Sequence, residues 1–290
     1  MDSSKAIILA GGHGTRLWPI TSGISKQLLP VYDKPMIYYS LTTAMLTGSK
    51  EILLISTPRD IDGYKALLGD GAQWGIAIQY QIQNSPEGLP HAFILAEAFI
   101  GESSVCMVLG DNFVYGRGLG RNLANYLRAR GASITAYEVA DSSELGVVLF
   151  SEKDEVLDLI EKPKNNESRW AVPGIYFYDS EVVSRSKKLK KSARGELEIM
   201  DLNKSYLNDG LLTVNKLPRG TAWLDLGTPN GILEAAQFVK LIEDRQGLLI
   251  GSPDEVALRF GWITSEQFAI NIDGKSSLYA KSLQRVLNEI

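Results

Sequence analysis

The feature that most restricts the fold is a short apolar run, residues 6–10, that leads directly into a glycine-rich loop. An apolar run of this kind bounded by glycine is typical of a strand buried on both faces of a sheet. Gly11, Gly12 and Gly14 can adopt left-handed backbone conformations and let amide groups come close to a ligand. Because consecutive amides can point at one phosphate, the pattern predicts an anion-binding loop at a strand end.

Two cations follow this loop. Arg16 offers a forked guanidinium and Lys26 a point charge, so the stretch suits a triphosphate. It is not a P-loop, because no Lys-Ser or Lys-Thr pair follows the glycines. It is not the dinucleotide fingerprint either, because Leu17 stands where that motif requires its third glycine. A glycine-rich surface turn with two solvated cations is the alternative that the glycines alone leave open.

Strand-like and helix-like segments alternate through the first half of the chain. This order predicts an α/β fold with a mostly parallel, twisted, Rossmann-like sheet covered by helices on both faces. Ligands of such sheets bind beyond the carboxyl ends of the strands. Gly11, Gln83 and Asp111 each follow a predicted strand, so we expect them at one edge. The predicted strands are 6–10, 51–56, 76–82 and 105–109, and the predicted helices are 35–47, 60–68, 90–99 and 119–130.

The second half has short strand-like segments separated by polar turns, which predict a smaller mixed β region. Two helical patterns interrupt it, at 196–208 and 230–246. Because no repeat or low-complexity linker divides the chain, we expect one domain over 1–290, with a catalytic core at 1–245. Residues 246–290 are helix-prone and are expected to form a helical C-terminal extension for packing or subunit contact. The strand-like segments are 133–139, 147–150, 156–160, 175–178, 211–217 and 221–224.

Charge and composition narrow the function classes. The net charge is −4 and no basic block stands out, so nucleic acid is not an expected partner. No apolar run approaches the roughly 18 residues of a membrane span, and the first residues lack a signal-peptide pattern. We therefore expect a cytoplasmic protein without a membrane partner. Cys106 lies in an apolar run and is expected to be a buried core thiol rather than a nucleophile. With this one cysteine and two histidines, a structural zinc site is not expected.

An ordered set of strings carries a family resemblance: L-A-G-G-x-G-T-R-L-x-P, K-Q-L-L-P, I-S-T-P-R-D, L-G-D-N, I-E-K-P-K, G-I-Y-F-Y-D, R-G-E-L-E-I-M-D-L-N and A-W-L-D-L-G-T. In this order they resemble the sugar-1-phosphate nucleotidylyltransferases, and among them the glucose-1-phosphate thymidylyltransferases. The resemblance implies an α/β nucleotide-binding fold, usually a homotetramer, that needs Mg²⁺. It also implies transfer of a thymidylyl group from dTTP to α-D-glucose 1-phosphate, giving dTDP-glucose and pyrophosphate, as the first step of dTDP-rhamnose and deoxysugar biosynthesis.

The resemblance also implies roles for single residues. Nucleotidyl transfer brings two anions together, so catalysis needs positioning and neutralised charge. Arg16 and Lys26 would favour the departing pyrophosphate. Lys162 would bridge the sugar phosphate and the α-phosphate, and a solvated loop lysine is the alternative interpretation. The implied nucleotide-binding residues are Gly11, Gly12, Gly14, Thr15, Arg16, Gln83, Pro86, Gly88 and Asp111, and the implied sugar-binding residues are Gly146, Glu161, Lys162 and Val172.

Asp111 and Asp225 are the implied ligands of Mg²⁺. Two carboxylates together with phosphate oxygens and water satisfy this ion, which seldom takes an all-protein cage. Either aspartate alone is equally well explained as a turn former, but both follow strands and can meet at the carboxyl edge of the sheet. Gln83 has an amide that donates and accepts at once, which suits the edge of a pyrimidine.

Three departures from the family pattern lie near the expected base and sugar pockets. Pro90 and His91 stand where the family commonly has Ala-Gln, Leu145 where an aromatic is usual, and Pro173 where threonine is common. They leave the base and sugar preferences open, and uridylyl transfer is one alternative. His91 is expected to be a helix-surface residue rather than a catalytic base. A non-catalytic nucleotide-sugar sensor is another alternative, but a sensor has no need for Arg16, Lys26, Asp111, Lys162 and Asp225 together.

Overall fold

A large sheet runs through the protein. The structure is a computed structural model that describes residues 4–12, 14–126, 130–163 and 168–289. Its strands are β1 Lys5–Ala10, β2 Pro30–Val31, β3 Lys34–Pro35, β4 Glu51–Ser56, β5 Ala77–Ile82, β6 Val105–Leu109, β7 Asn112–Tyr115, β8 Ala132–Glu138, β9 Gly146–Phe150, β10 Val156–Glu161, β11 Trp170–Ala171, β12 Ile175–Tyr178, β13 Leu212–Lys216 and β14 Ala222–Asp225. Its helices are α1 Met36–Leu46, α2 Ile61–Leu68, α3 Leu89–Leu95, α4 Glu97–Ile100, α5 Leu119–Tyr126, α6 Val182–Lys188, α7 Ile199–Asn208, α8 Pro229–Gln246, α9 Pro253–Arg259, α10 Ser265–Ile272 and α11 Leu278–Asn288.

The order of the strands joins the two halves of the chain. Within the described residues the main sheet runs β10-β9-β11-β8-β12-β6-β1-β4-β5, with β13 beside β8. Strands β6, β1, β4 and β5 are parallel neighbours, as predicted for the first half. Strand β12 is antiparallel to β6 and β8, and the β9–β10 hairpin extends this antiparallel part. The α/β class is confirmed, and the mixed β region continues the parallel sheet.

Side chains of β1 alternate between two cores, one on each face of the sheet. Ala6 and Ile8 belong to the core covered by α1, α2, α5 and α9–α11. Ile7 and Leu9 belong to the core covered by α3, α4, α6 and α7. A strand buried on both faces is therefore the reason for the continuous apolar run. Cys106 of β6 is fully buried, and burial raises the pKa of its thiol, which agrees with an unreactive core cysteine.

The C-terminal helices complete one of these cores. Ala257, Phe268 and Leu283, one from each of α9, α10 and α11, are buried in the same cluster as Ile37 of α1. Packing is thus one role of this segment, while subunit contact stays a prediction. Among the described helices, none is both long and apolar enough to cross a membrane.

Several elements differ from the sequence prediction. Strand β7 was not predicted; it begins shortly after β6 and pairs with β14 outside the main sheet. Helix α6 was not predicted either. The predicted helix 90–99 is divided at Ala96 into α3 and α4. The predicted helix 119–130 is observed as α5, and its residues 127–129 lie outside the described part of the chain.

Candidate active site

The glycine-rich loop follows β1, as predicted. Gly12 and Gly14 have φ values of +99° and +59°, in the left-handed region that favours glycine. The Thr21 hydroxyl donates to the Gly14 carbonyl oxygen at 2.9 Å. A Cβ on Gly14 would come within 2.8 Å of Thr21 Cγ2, so this position has no room for a side chain. Thr15 and Arg16 follow in a single 3-10 turn.

A cleft of about 340 Å³ lies beside this loop, lined by the segments that follow β1, β4 and β5. Arg59 lines it but was not a predicted site residue. Asp60 accepts from the Arg59 guanidinium at 2.8 and 3.0 Å, and Arg59 also donates to the Thr21 carbonyl oxygen at 3.3 Å. The cation following a strand in I-S-T-P-R-D was the signal that could have identified it. The lining residues are Gly12, Thr57, Pro58, Arg59, Gln83, Asn84, Ser85 and Pro86.

Gln83 follows β5 and is only 8% exposed. Its backbone N–H donates to the Ser56 carbonyl oxygen at 2.8 Å, which fixes it against the end of β4. Its side-chain Nε2 lies 3.0 Å from Nδ1 of His91 in the first turn of α3. His91 lies on a helix as expected but is partly buried: its side chain is 19% exposed and contacts a predicted site residue.

Gly88 has a φ of +95° and forms a backbone bridge with Leu197. A Cβ on Gly88 would overlap the Leu197 carbonyl oxygen. The close approach observed at Gly88 is thus that of Leu197, and contact with a nucleotide base stays a prediction.

The two predicted metal ligands lie at the same end of the β7–β14 pair. In its register Asp225 lies opposite Asn112, and the Leu226 N–H donates to the Asp111 carbonyl oxygen at 3.3 Å. Each carboxylate faces one of the two predicted cations. Lys26 Nζ donates to Asp111 Oδ2, and Arg16 Nη1 lies 3.4 Å from Asp225 Oδ2.

Neighbouring contacts hold the side chains of these two ion pairs in place. Trp223 Nε1 donates to Asn112 Oδ1 at 2.6 Å, which ties β14 to β7 beside the carboxylates. The Gly227 N–H donates to Asp225 Oδ1 at 2.9 Å. A Cβ on Gly227 would overlap Nη2 of Arg16, so the guanidinium occupies the space that this glycine leaves open.

The β9–β10 hairpin brings three predicted sugar-binding residues together. Gly146 lies opposite Glu161 in the register, and Val172 donates its N–H to the Gly146 carbonyl oxygen at 2.8 Å. A Cβ on Gly146 would overlap Met200 Cε and lie 3.3 Å from Glu161 Oε2. The absence of a side chain at Gly146 therefore leaves room chiefly for the Met200 side chain, with the Glu161 carboxylate beside it.

Glu161 is a partly buried carboxylate with an arginine beside it. Burial, reinforced by the nearby charge of Glu198, raises its pKa above the ordinary value. Arg194 Nη2 lies 3.7 Å from Glu161 Oε1 and 2.7 Å from Glu198 Oε2. Arg194 was not predicted as a site residue, although it begins the string R-G-E-L-E-I-M-D-L-N. Its position places a cation beside the predicted sugar-binding residues, which we call the sugar half of the candidate site.

Lys162 has a φ of +46°, which is unusual for a residue other than glycine. Its N–H donates to the carbonyl oxygen of Leu145, one of the departures from the family pattern, at 3.1 Å. Its ammonium lies 3.3 Å from Glu144 Oε2, and the two side chains are 45% and 84% exposed. Such a pair fits a solvated lysine as well as a phosphate ligand, so the role of Lys162 stays a prediction.

The two halves of the candidate site meet at the end of β6. The Leu109 N–H donates to the Gly174 carbonyl oxygen at 2.9 Å. A Cβ on Gly174 would lie 2.6 Å from Leu109 Cγ, so the two segments are in close contact. Asp111 follows one side of this junction, and Val172 and Pro173 precede the other. The acidic pair and the sugar half are thus joined by hydrogen-bonded backbone.

Comparison with known proteins assigns this arrangement to a family. The family model described as nucleotidyl transferase matches residues 5–241. A glucose-1-phosphate thymidylyltransferase of Mycobacterium tuberculosis is 55% identical over 263 residues, covering 91% of this chain and 91% of that protein. The chain belongs to the glucose-1-phosphate thymidylyltransferase family of nucleotidyl transferases. The family member of Neisseria meningitidis serogroup A is 52% identical over 264 residues, covering 91% of this chain and 92% of that protein.

Solved structures agree with the family assignment. A Bacillus anthracis protein, assigned as a glucose-1-phosphate thymidylyltransferase and crystallised with sucrose, has a TM-score of 0.75 and 36% identity, covering 81% of this chain and 94% of that chain. A UDP-glucose pyrophosphorylase complexed with UDP-glucose has a TM-score of 0.72 and 24% identity, covering 83% and 99%. At that identity the second structure establishes the shared fold alone. The family resemblance is confirmed, and the roles of single residues stay predictions.

Proposed function

We propose that this protein transfers a thymidylyl group from dTTP to α-D-glucose 1-phosphate, giving dTDP-glucose and pyrophosphate. Relatives that bear the name of this activity match 91% of the chain. The observation that carries the proposal is the pair of carboxylates, each beside a cation, at the strand ends next to a glycine-rich loop. Such an arrangement suits a triphosphate and a metal ion together. The product would enter the synthesis of dTDP-rhamnose and other deoxysugars.

The nucleotide would bind along the edge formed by β1, β4 and β5. Backbone amides of Gly11, Gly12 and Gly14 would face the phosphates, with Thr15 and Arg16 at the following turn. The pyrimidine would lie in the cleft beside Gln83, Pro86 and Gly88. The Gln83 amide can both donate to and accept from the base edge.

Mg²⁺ fits the residues on the β7–β14 pair. Asp111, in the turn before β7, and Asp225, at the end of β14, offer carboxylates at the same end of this strand pair, and phosphate oxygens with water suit the other ligand positions. When bound, a divalent cation supplies neutralisation of the phosphate charge. Lys26 and Arg16, which lie against these carboxylates, would turn to the pyrophosphate that leaves.

In the transfer step an oxygen of glucose 1-phosphate bonds to the α-phosphorus of dTTP, and the bond from that phosphorus to the bridging oxygen breaks. Pyrophosphate leaves with the electron pair of the broken bond. Lys162 would hold the attacking phosphate against the α-phosphate, and Arg194 would add positive charge on the sugar side. Positioning and neutralised repulsion of this kind account for most catalysis in phosphoryl and nucleotidyl transfer.

The hexose would be held by the base of the β9–β10 hairpin. The Glu161 carboxylate would accept hydrogen bonds from sugar hydroxyls, and Arg194 nearby counteracts the effect of burial on its charge. Gly146 and Val172 would line the hexose pocket. Pro173, which replaces the threonine common in the family, directly follows Val172, so the sugar preference is the property of this chain that we expect to differ most from the family.

The test is pyrophosphate release by the purified protein with a panel of nucleoside triphosphates and sugar 1-phosphates. We expect dTTP with glucose 1-phosphate to be the best pair, with UTP used less well. A thymine methyl group contributes only about 1–3 kcal/mol of discrimination. A clear preference for UTP would favour uridylyl transfer, and efficient use of ATP or GTP would refute the assignment. Binding without turnover would favour a nucleotide-sugar sensor.

We further propose that the protein is a homotetramer in the cytoplasm. The family resemblance supports the homotetramer, and the charge and hydropathy of the chain support the location. Light scattering coupled to size exclusion measures the mass directly, and a monomer at micromolar concentration would contradict the tetramer. Fractionation of cells with an antibody against the protein tests the location.

A further inference from the structure

The two ends of the Gln83 side-chain amide face different neighbours. Nε2 lies 3.0 Å from Nδ1 of His91. Oε1 faces the glycine-rich loop, where a Cβ built on Gly11 would be 3.5 Å from it. An amide presents two donors at one end and two acceptors at the other. Whichever end His91 binds therefore decides which end faces the cleft.

His91 is itself oriented from its other side. Its Nε2 lies 3.8 Å from Oε1 of Glu87, and Glu87 also accepts from Ser85 at 3.2 Å and from Lys191 at 2.8 Å. The hydrogen bond from Lys191 holds the pKa of Glu87 below its ordinary value, so this side chain is a carboxylate. A carboxylate beside one ring nitrogen favours the proton on that nitrogen, which leaves the other as an acceptor. Nδ1 of His91 can then accept from Gln83 only if Nε2 points at it.

We propose that His91, oriented by Glu87, is a positioning residue that fixes the Gln83 amide with its carbonyl oxygen toward the base, and so selects thymine or uracil over cytosine. This inference rests on the proposed function, in which Gln83 contacts a pyrimidine. Thymine and uracil carry an N–H donor at N3, which a carbonyl oxygen accepts. Cytosine carries an acceptor at N3 and an amino group at C4, so it would set acceptor against acceptor.

The departure from the family pattern at His91 suggests a conservative variant for the test. The resemblance places glutamine where this chain has His91, and a glutamine carbonyl can also accept from Nε2 of Gln83. Leucine has similar bulk but no acceptor. His91→Gln should therefore keep the orientation of the Gln83 amide, and His91→Leu should release it to turn. Both variants retain every residue assigned to the phosphates, the metal and the sugar.

The experiment measures kcat/KM for dTTP and dCTP in the unaltered protein, His91→Gln, His91→Leu and Gln83→Ala. The unaltered protein should prefer dTTP by about tenfold or more, because an unpaired buried polar group is costly. His91→Leu should reduce this ratio by about tenfold, as the amide turns to suit either base. His91→Gln should keep the ratio, and KM for glucose 1-phosphate should be unchanged in both. Gln83→Ala should also lose the preference.

The outcomes separate the two proposals. If Gln83→Ala keeps the dTTP preference, Gln83 does not read the base, and that part of the proposed function is wrong. If Gln83→Ala loses the preference but His91→Leu keeps it, or if His91→Gln loses it, the positioning role is overturned. Should His91→Leu fail to fold, Glu87→Gln changes a partly exposed side chain and removes the charge that orients the imidazole. That variant should lower the ratio in the same direction, and an unchanged ratio would overturn the proposal.

Discussion

Replacing Lys162 by alanine should separate catalysis from stability. The ion pair of Lys162 with Glu144 is exposed, so its loss should cost about 0–1 kcal/mol of folding free energy. In the transfer step the same charge would lie between two phosphates, where loss of a comparable electrostatic group lowers kcat about 10²–10³-fold, or about 2.7–4 kcal/mol. We therefore expect kcat to fall by at least about 100-fold. The melting temperature should move by no more than about 2–4 °C.

The backbone conformation of Lys162 provides a matched control. At a φ of +46° an alanine keeps the strain of the left-handed region, about 1–2 kcal/mol, and a glycine does not. Lys162→Gly should thus be more stable than Lys162→Ala and equally inactive. Lys162→Arg keeps the charge, but its planar fork has a different reach, so it should restore activity only in part.

Pyrophosphate release at saturating substrates gives kcat for the three variants, and urea unfolding gives their free energies of unfolding. A folded alanine variant with kcat within about threefold of the unaltered protein would refute the bridging role. The lysine would then be the solvated residue that its exposed ion pair also fits. Equal stability of the alanine and glycine variants would refute the argument from backbone strain.

Three further predictions test other parts of the site. Asp111→Asn and Asp225→Asn should each remove most activity, and the double variant should be little worse, because groups that act through one ion fail together. Higher Mg²⁺ should partly restore the activity of the single variants. Losses that multiply in the kinetic assay would contradict a shared ion. Gly227→Ala should displace the Arg16 guanidinium and lower kcat/KM for dTTP by about tenfold. Gly23→Ala, where a Cβ meets open space, should match the unaltered protein. Equal kinetics of the two variants would contradict the role of Gly227. Because the pKa of Glu161 is raised, the folded state binds its proton more tightly than the unfolded chain does. The free energy of unfolding should therefore fall as the pH rises from the ordinary value of 4.5 through the raised one. Glu161→Gln should flatten this part of the urea-unfolding profile, and an unchanged profile would contradict the shift.

The first half of the fold could be predicted because its strands are buried on both faces. Strands such as β4 and β6 are therefore continuous apolar runs, and their bounds agree with the predictions. Strand β7 follows β6 after a two-residue turn, and its partner among the described strands is β14, which is far away in the sequence. A short strand whose partner is distant has no local pattern of its own, so periodicity did not find it. The sequence predicts one helix over 90–99, because Ala96, where α3 ends and α4 begins, is a good helix former.

Part of the candidate site could likewise be predicted from the sequence, and part could not. The prediction that Asp111 and Asp225 meet at strand ends is correct, since Asp111 follows β6 and Asp225 ends β14. The strand pair that brings them together, β7 and β14, lies outside the main sheet. Which cation faces which carboxylate could not be predicted, because Lys26 and Asp111 are 85 residues apart and Arg16 and Asp225 are 209 apart. The contact between His91 and Gln83 also depends on how α3 packs against the end of β5, which the sequence of either segment does not specify.

In the proposed function, the junction between Leu109 and Gly174 would make the relative position of the two substrates a property of the sheet. In the proposed function, β1, β4 and β5 would carry the nucleotide and β9 and β10 the sugar, and laterally hydrogen-bonded strands connect these two groups of strands. Because backbone hydrogen bonds fix the neighbours of each strand, the strand order fixes how these two groups of strands are placed relative to each other. Under this proposal, loops at the hairpin would change in length or composition, and with them the choice of sugar, without altering the strand order that places the two substrates. Engineering of the acceptor specificity should accordingly begin in these loops and leave the strand order intact.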